Sequence, residues 1–211
     1  MKVFKFGGAS VKDAKAVKNV KRILDLYPDN NLFVVISAMG KTTNALEALI
    51  AVHINQTDSS QLYHNITHFH QEILNELFPN NTSEIYLEVE KLLEQVHKIL
   101  NEEPTDHYDY IYDQVVSYGE LLSTKIVSAF LNENGINNTW LDARKIIRTD
   151  NTYREGKVDW STTDQNIKST LLAAKESTKT VYITQGFIGH SAEGLTTTLG
   201  REGSDFTAGI F

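Results

Sequence analysis

Cysteine is absent from this chain. That removes disulfides and thiolate metal sites, and it permits a cytoplasmic location. Long apolar runs are missing too. Lys2 and Lys5 interrupt the first apolar segment, and no later run approaches the roughly eighteen residues of a membrane span, so no export signal, anchor or membrane association is read. Basic charge is not in excess: 20 Lys and Arg stand against 27 Asp and Glu, a net charge of −7. The lysines cluster only along the first helical segment, which argues against nucleic acid as a partner. Without a secretory signal, sequons such as Asn65-Ile66-Thr67 carry no glycosylation reading.

What is present suits one sizeable α/β domain; 211 residues are too few for two ordinary ones. Val3 to Phe6 reads as a short buried strand. Asp13 to Leu26 places Ala16, Val17, Val20, Ile23 and Leu24 at helical spacing before Pro28. Leu32 to Ile36 is an apolar run of strand length, followed by Ser37-Ala38-Met39-Gly40 and a helix from about Asn44. This alternation predicts a parallel sheet with helices on its faces.

From about Ser59 to Asn134 the pattern is helical, with breaks at Pro79-Asn80-Asn81 and Glu103-Pro104-Thr105. Leu92, Leu93, Val96, Ile99 and Leu100 mark one amphipathic face; Leu121, Leu122, Ile126, Val127 and Phe130 mark another, ended by Asn134-Gly135. Strands are predicted at Thr139 to Leu141 and Thr180 to Thr184, with a helix over about Thr163 to Glu176 between them. A strand over Leu195 to Leu199 then leads through Gly200-Arg201-Glu202-Gly203-Ser204-Asp205 into a last helix.

Ligands of parallel sheets collect beyond the carboxyl ends of the strands. Four glycine-containing loops are expected there: Gly7-Gly8, Ser37 to Asn44, Gln185 to Gly189 and Gly200 to Asp205. Glycine lets backbone amides approach an anion closely, so such loops suit phosphate or carboxylate. A lone Gly-Gly is ordinarily a tight turn. Lys5 changes that reading, because a lysine on an apolar strand aimed at a glycine loop is costly unless an anion meets it.

Two patterns are decoys. Gly40-Lys41-Thr42-Thr43 ends like a Walker phosphate loop, but Val35 stands where that loop needs its first glycine. His64, His68 and Glu72 share a helical face at zinc-ligand spacing, and a solvated helix face is the better reading.

Taken together, the stretches Lys5-Phe6-Gly7-Gly8-Ala9-Ser10-Val11, Val35 to Gly40 with Thr43-Asn44, Ser117-Tyr118-Gly119-Glu120, Gln185 to Gly189, and Thr197 to Asp205 resemble aspartate kinase, of the amino-acid kinase superfamily. The resemblance runs from Lys2 to Ala208 and is weakest between about Gln56 and Asp106. It implies a three-layer α/β fold with a parallel sheet: an N-terminal, amino-acid-binding lobe with a mostly helical insertion at about 59–134.

The implied activity is transfer of the ATP γ-phosphoryl group, with Mg2+, to the side-chain carboxylate of L-aspartate, the first step toward lysine, threonine and methionine. A carboxylate is already ionised at neutral pH, so no catalytic base is required. Positioning and charge neutralisation remain. The resemblance assigns Lys5 to the transferring phosphoryl group, Gly7 and Gly8 to close backbone approach, and Ser37 and Thr43 to the join between phosphate and aspartate. Arg201 would hold a substrate carboxylate and Glu120 the ammonium, with Phe187 and Ser204 shaping the pocket and Asp205 orienting Lys5. No residue is assigned as a metal ligand.

The apolar Thr207 to Phe211 end carries no cap and reads as cut within a helix. The resemblance implies continuation into strands that hold adenine, ribose and a second lysine, then into regulatory domains. A homo-oligomeric parent is expected, with the 211-residue chain inactive alone and prone to self-associate. Two alternatives stand beside this reading: another kinase of the superfamily, acting on acetylglutamate, glutamate or a nucleotide, or an amino-acid-binding or regulatory module without catalysis.

Overall fold

The computed structural model describes residues 2–28, 31–80, 83–102, 107–174 and 181–211. In chain order these form β1 (Lys2–Phe6), α1 (Ala14–Leu24), β2 (Leu32–Ile36), α2 (Thr42–Ile54), α3 (Ser60–Leu77), α4 (Ile85–Glu102), α5 (Tyr108–Glu133), β3 (Asn138–Leu141), α6 (Trp160–Ala174), β4 (Val181–Gln185), β5 (Ile188–His190), β6 (Thr196–Thr198) and α7 (Gly203–Ile210). β1, β2, β4 and β3 lie side by side in that order, all parallel. β5 and β6 make a separate antiparallel ribbon.

The strand β2 shows why both faces of this sheet must be covered. All five of its residues are buried, and alternate side chains point to opposite faces. Leu32, Val34 and Ile36 join the core formed with α1, α2, α3, α4 and α5. On the other face Phe33 stacks between Tyr182 of β4 and Phe211, with ring centroids 5.0 and 4.8 Å away. Helix, sheet and helix thus make three layers, as a parallel sheet buried on both sides requires.

Helix α1 starts one residue later than the pattern suggests, because Asp13 caps it by accepting the Ala16 N–H at 2.7 Å. Helix α6 begins earlier than expected, at Trp160 rather than Thr163; Asp159 accepts from the Thr162 N–H and hydroxyl. The predicted end at Glu176, the strand start at Thr180, Asn81 of the first helical break and the whole second break at Glu103 to Thr105 lie outside the described residues.

Helix α5 is not a one-faced surface helix. Its buried positions include Ser117, Gly119, Glu120, Ser123 and Thr124 as well as the aliphatic stripe, so it runs through the middle of the molecule. Small and hydroxyl-bearing side chains allow this: Gly119 meets Ala38, Leu46 and Thr42, and Ser123 donates to the Ser37 carbonyl at 2.8 Å.

The expected strand at Leu195 to Leu199 exists as β6, but it does not extend the parallel sheet. It pairs with β5, whose Ile188 and Gly189 fall within what the sequence suggested was a glycine loop. A strand so short has no periodicity to detect. Among the described residues no helix is long and apolar enough to cross a membrane.

Candidate active site

Lys5 leaves β1 with its Nζ 2.9 Å from Asp205 Oδ2, on the first turn of α7. The two side chains are 28% and 61% exposed. A pair this open adds little to stability and exchanges readily for another anion. Directly after β1 the chain turns so tightly that a side chain on Gly8 would sit 2.8 Å from both the Ala38 and Gly40 carbonyl oxygens. Gly8 therefore locks the β1 loop, backbone to backbone, onto the loop after β2; the Gly40 N–H donates to the Gly8 carbonyl at 3.1 Å.

These loops rim a cavity of about 530 Å³ lined by Lys5, Ser37, Thr43, Glu120, Phe187, Arg201, Ser204 and Asp205. Eight residues singled out from the sequence therefore converge on one space. Gly7 and Gly8 do not line it; they form the turn beneath Lys5. Arg201 is exposed and, among the described residues, forms no hydrogen bond or ion pair with the protein.

Glu120 forms the floor. It is buried, and its Oε1 accepts the Ala38 N–H at 3.2 Å, while its Oε2 is buried with no hydrogen-bond partner among the described residues. Burial pushes its carboxyl up to about 8, against the pull of the Ala38 N–H. An unpaired buried carboxylate facing a cavity is costly to keep, and a cationic group in that cavity would relieve the cost.

The cavity has further walls that the sequence reading missed: Tyr112, Arg154, Glu155 and Glu202. Tyr112 stands eight residues before Glu120, two helical turns along one face of α5, a spacing that was available in the sequence. Arg154 gave no such signal. Its guanidinium lies 4.2 Å from the centre of the Tyr112 ring, with Glu47 and Asp109 oxygens at 3.4 and 3.5 Å. Arg154, Phe187 and Glu202 all have left-handed backbones, with φ of 66°, 70° and 57°. Strained non-glycine residues at one cavity are typical of a binding site held by its surroundings.

Among the described residues no group of three or more His, Asp or Glu is placed to hold a metal ion. His68 Nδ1 lies 3.5 Å from Glu72 Oε2 and both side chains are exposed.

A buried parallel sheet whose strand ends carry a small, charge-rich cavity is the arrangement in which α/β proteins bind small ligands. Residues 1–211 match the model of the amino acid kinase family; the chain belongs to that family. It is 34% identical over 209 residues to the lysine-sensitive aspartokinase 3 of Escherichia coli, covering 99% of this chain and 45% of that protein. Crystal structures of E. coli aspartokinase III superpose with TM-scores of 0.88 for the complex with lysine and aspartate (32% identity) and 0.85 for the complex with aspartate and ADP (31% identity). Each covers 100% of this chain and 46% of the larger one. The chain thus spans less than half the length of the relatives it matches.

Proposed function

We propose that the cavity is the acceptor site of an aspartate kinase: it binds L-aspartate, whose side-chain carboxylate attacks the γ-phosphorus of ATP. A new O–P bond forms, the bridge between the β- and γ-phosphates breaks, and ADP leaves with 4-phospho-aspartate as the other product. The observation that carries this reading is that Glu120 and Arg201 line one cavity while, among the described residues, neither the buried Glu120 Oε2 nor the Arg201 side chain has a partner. An α-amino acid supplies the ammonium that the first needs and the carboxylate that the second can grip through a bidentate fork.

The other residues follow from their positions. Lys5 neutralises charge on the transferring phosphoryl group, and Asp205 holds the lysine until the phosphate arrives. Ser37 and Thr43 sit between phosphate and amino acid, Phe187 and Ser204 shape the pocket, and Gly7-Gly8 set the turn that aims Lys5. Mg2+ would enter with the nucleotide, neutralising its phosphates. The chain spans less than half the length of the relatives it matches, and alone it is expected to bind aspartate but to turn over little.

Calorimetric titration of the chain with L-aspartate tests the reading, with succinate as a control that lacks the amino group. L-Aspartate is expected to bind and succinate to bind at least about tenfold more weakly, the loss of a charge-assisted contact. Equal affinities would remove Glu120 from ammonium recognition. Binding of glutamate or acetylglutamate in preference to aspartate would reassign the acceptor.

A further inference from the structure

Asp113 is fully buried on α5, seven residues before Glu120 and therefore two turns along the same face. It does not line the Lys5–Arg201 cavity, and among the described residues no lysine or arginine side chain hydrogen-bonds it. Instead both carboxylate oxygens accept backbone and hydroxyl donors from two distant loops. The Arg154 N–H lies 3.1 and 3.0 Å from the two oxygens. The Thr198 N–H lies 2.8 Å from Oδ2 and the Thr198 hydroxyl 2.7 Å from Oδ1. The two loops are also joined directly, the Gly156 N–H donating to the Thr198 carbonyl at 2.8 Å.

Those loops are the outer wall of the cavity, contributing Arg154, Glu155, Gly200, Arg201 and Glu202. The turn from Thr198 to Gly203 is short and pinned at each step: Thr198 on Asp113, the Leu199 N–H on the Phe187 carbonyl at 2.8 Å, and the Gly203 N–H on the Gly200 carbonyl at 3.1 Å. Gly200, at φ 75°, makes the reversal. Arg201 projects from this turn and, among the described residues, has no side-chain partner to hold it, so its placement is inherited from Thr198.

We propose that Asp113 is a positioning residue for the acceptor site: by clamping Thr198 and Arg154 it sets where the Arg201 guanidinium stands relative to the Glu120 carboxylate. A carboxylate suits this task better than any neutral side chain, because three donors converge on it and both of its oxygens accept. Burial raises its carboxyl to about 6, while the hydrogen bonds from Thr198 and Arg154 oppose that rise. The charged and titratable groups that face it are the Arg154 guanidinium, Tyr153 of the same loop and Tyr112 of its own helix. This inference rests on the acceptor-site reading above for the identity of the ligand, but not for the clamp itself.

Two measurements on the same variants separate the two. Thr198→Val removes one donor while keeping side-chain volume, Thr198→Ser restores the hydroxyl, and Asp113→Asn places an amide N–H against backbone N–H groups. Amide hydrogen exchange of the 199–203 segment reads the clamp without any ligand. Titration with L-aspartate reads its consequence for Arg201. Thr198→Val is expected to speed exchange in that segment and weaken aspartate about tenfold, the effect of one lost hydrogen bond to a charged group. Thr198→Ser should return both toward wild type, and Asp113→Asn should exceed Thr198→Val in both. Because Asp113→Asn risks global unfolding, the Val and Ser pair decides.

Unchanged exchange in Thr198→Val overturns the clamp. Faster exchange with unchanged aspartate affinity overturns its link to Arg201. A wild-type chain that binds no aspartate overturns the acceptor reading and the carboxylate half of this inference, while faster exchange in Thr198→Val would still support the clamp.

Discussion

Lys5 and Asp205 stand 200 residues apart in the chain and 2.9 Å apart in space, the first on the edge strand of the sheet and the second on the last helix. The lysine is thereby held at the cavity before any phosphate reaches it. Lys5→Ala should lower turnover by about a hundredfold or more, the usual cost of removing a group aimed at developing charge, while the KM for aspartate changes only a few-fold. Steady-state ADP release, in whichever polypeptide context supports turnover, provides the check; near-normal kcat would take Lys5 out of the chemistry.

Arg201→Lys keeps the charge at the turn but removes the planar fork. Aspartate affinity should fall about tenfold, because a lysine makes point contacts where arginine grips two oxygens. Titration of the variant with L-aspartate measures this directly. Unchanged affinity would move carboxylate recognition to another cation of the cavity, with Arg154 first in line.

Glu120→Gln separates stability from recognition. The carboxyl is raised from 4.5 to about 8 in the folded chain, so between those values the folded state holds a proton that the unfolded state has released. Wild-type stability must then fall as pH rises through that window, and the glutamine variant should escape the loss. The difference in Tm between variant and wild type should widen in favour of the variant from about pH 5 to about pH 9, while L-aspartate binds the variant less well. A pH-independent difference would mean that a cation or a proton path already serves Oε2.

His70 makes a second, opposite pH demand. It is fully buried in α3, its Nδ1 bonded to the Ile66 carbonyl at 2.8 Å and its Nε2 without a partner among the described residues, and burial lowers it from 6.5 to about 4. The unfolded chain therefore takes up a proton that the folded chain refuses as pH falls from 6.5 toward 4, and stability is lost over that range. Thermal melts of His70→Phe should show a flatter acid limb than wild type. An equally steep limb would place the acid sensitivity elsewhere.

Much of the site was legible because the chemistry repeats itself in short words. Lys5 before Gly7-Gly8, and Arg201 with Asp205 around Gly203, each combine charge with a glycine that only a close backbone approach explains. The parallel sheet was legible for the same reason that it is stable: Leu32 to Ile36 is apolar at every position. What escaped notice depended on partners far away in sequence. Nothing near Arg154 announces that Asp113 holds its amide, and nothing near Ile188-Gly189-His190 announces a strand until Thr196-Thr197-Thr198 lies beside it. Helix α5 was read as an amphipathic stripe because its hydroxyl-bearing face is polar in composition, although that face is buried against the loop after β2.

The closure of β1 by α7 also orders events during synthesis. A ribosome releases Lys5 and the glycine turn ahead of the rest of the cavity, and domains generally begin to organise from the N-terminal side as they emerge. Helix α5, with Glu120, follows midway. Yet Arg201, Ser204 and Asp205 emerge roughly eighty residues after Glu120, and until they do the nascent chain carries a lysine without the Asp205 counter-ion and a glutamate with no opposite wall. The cavity is thus assembled all at once, when α7 docks on a sheet that has been waiting for it.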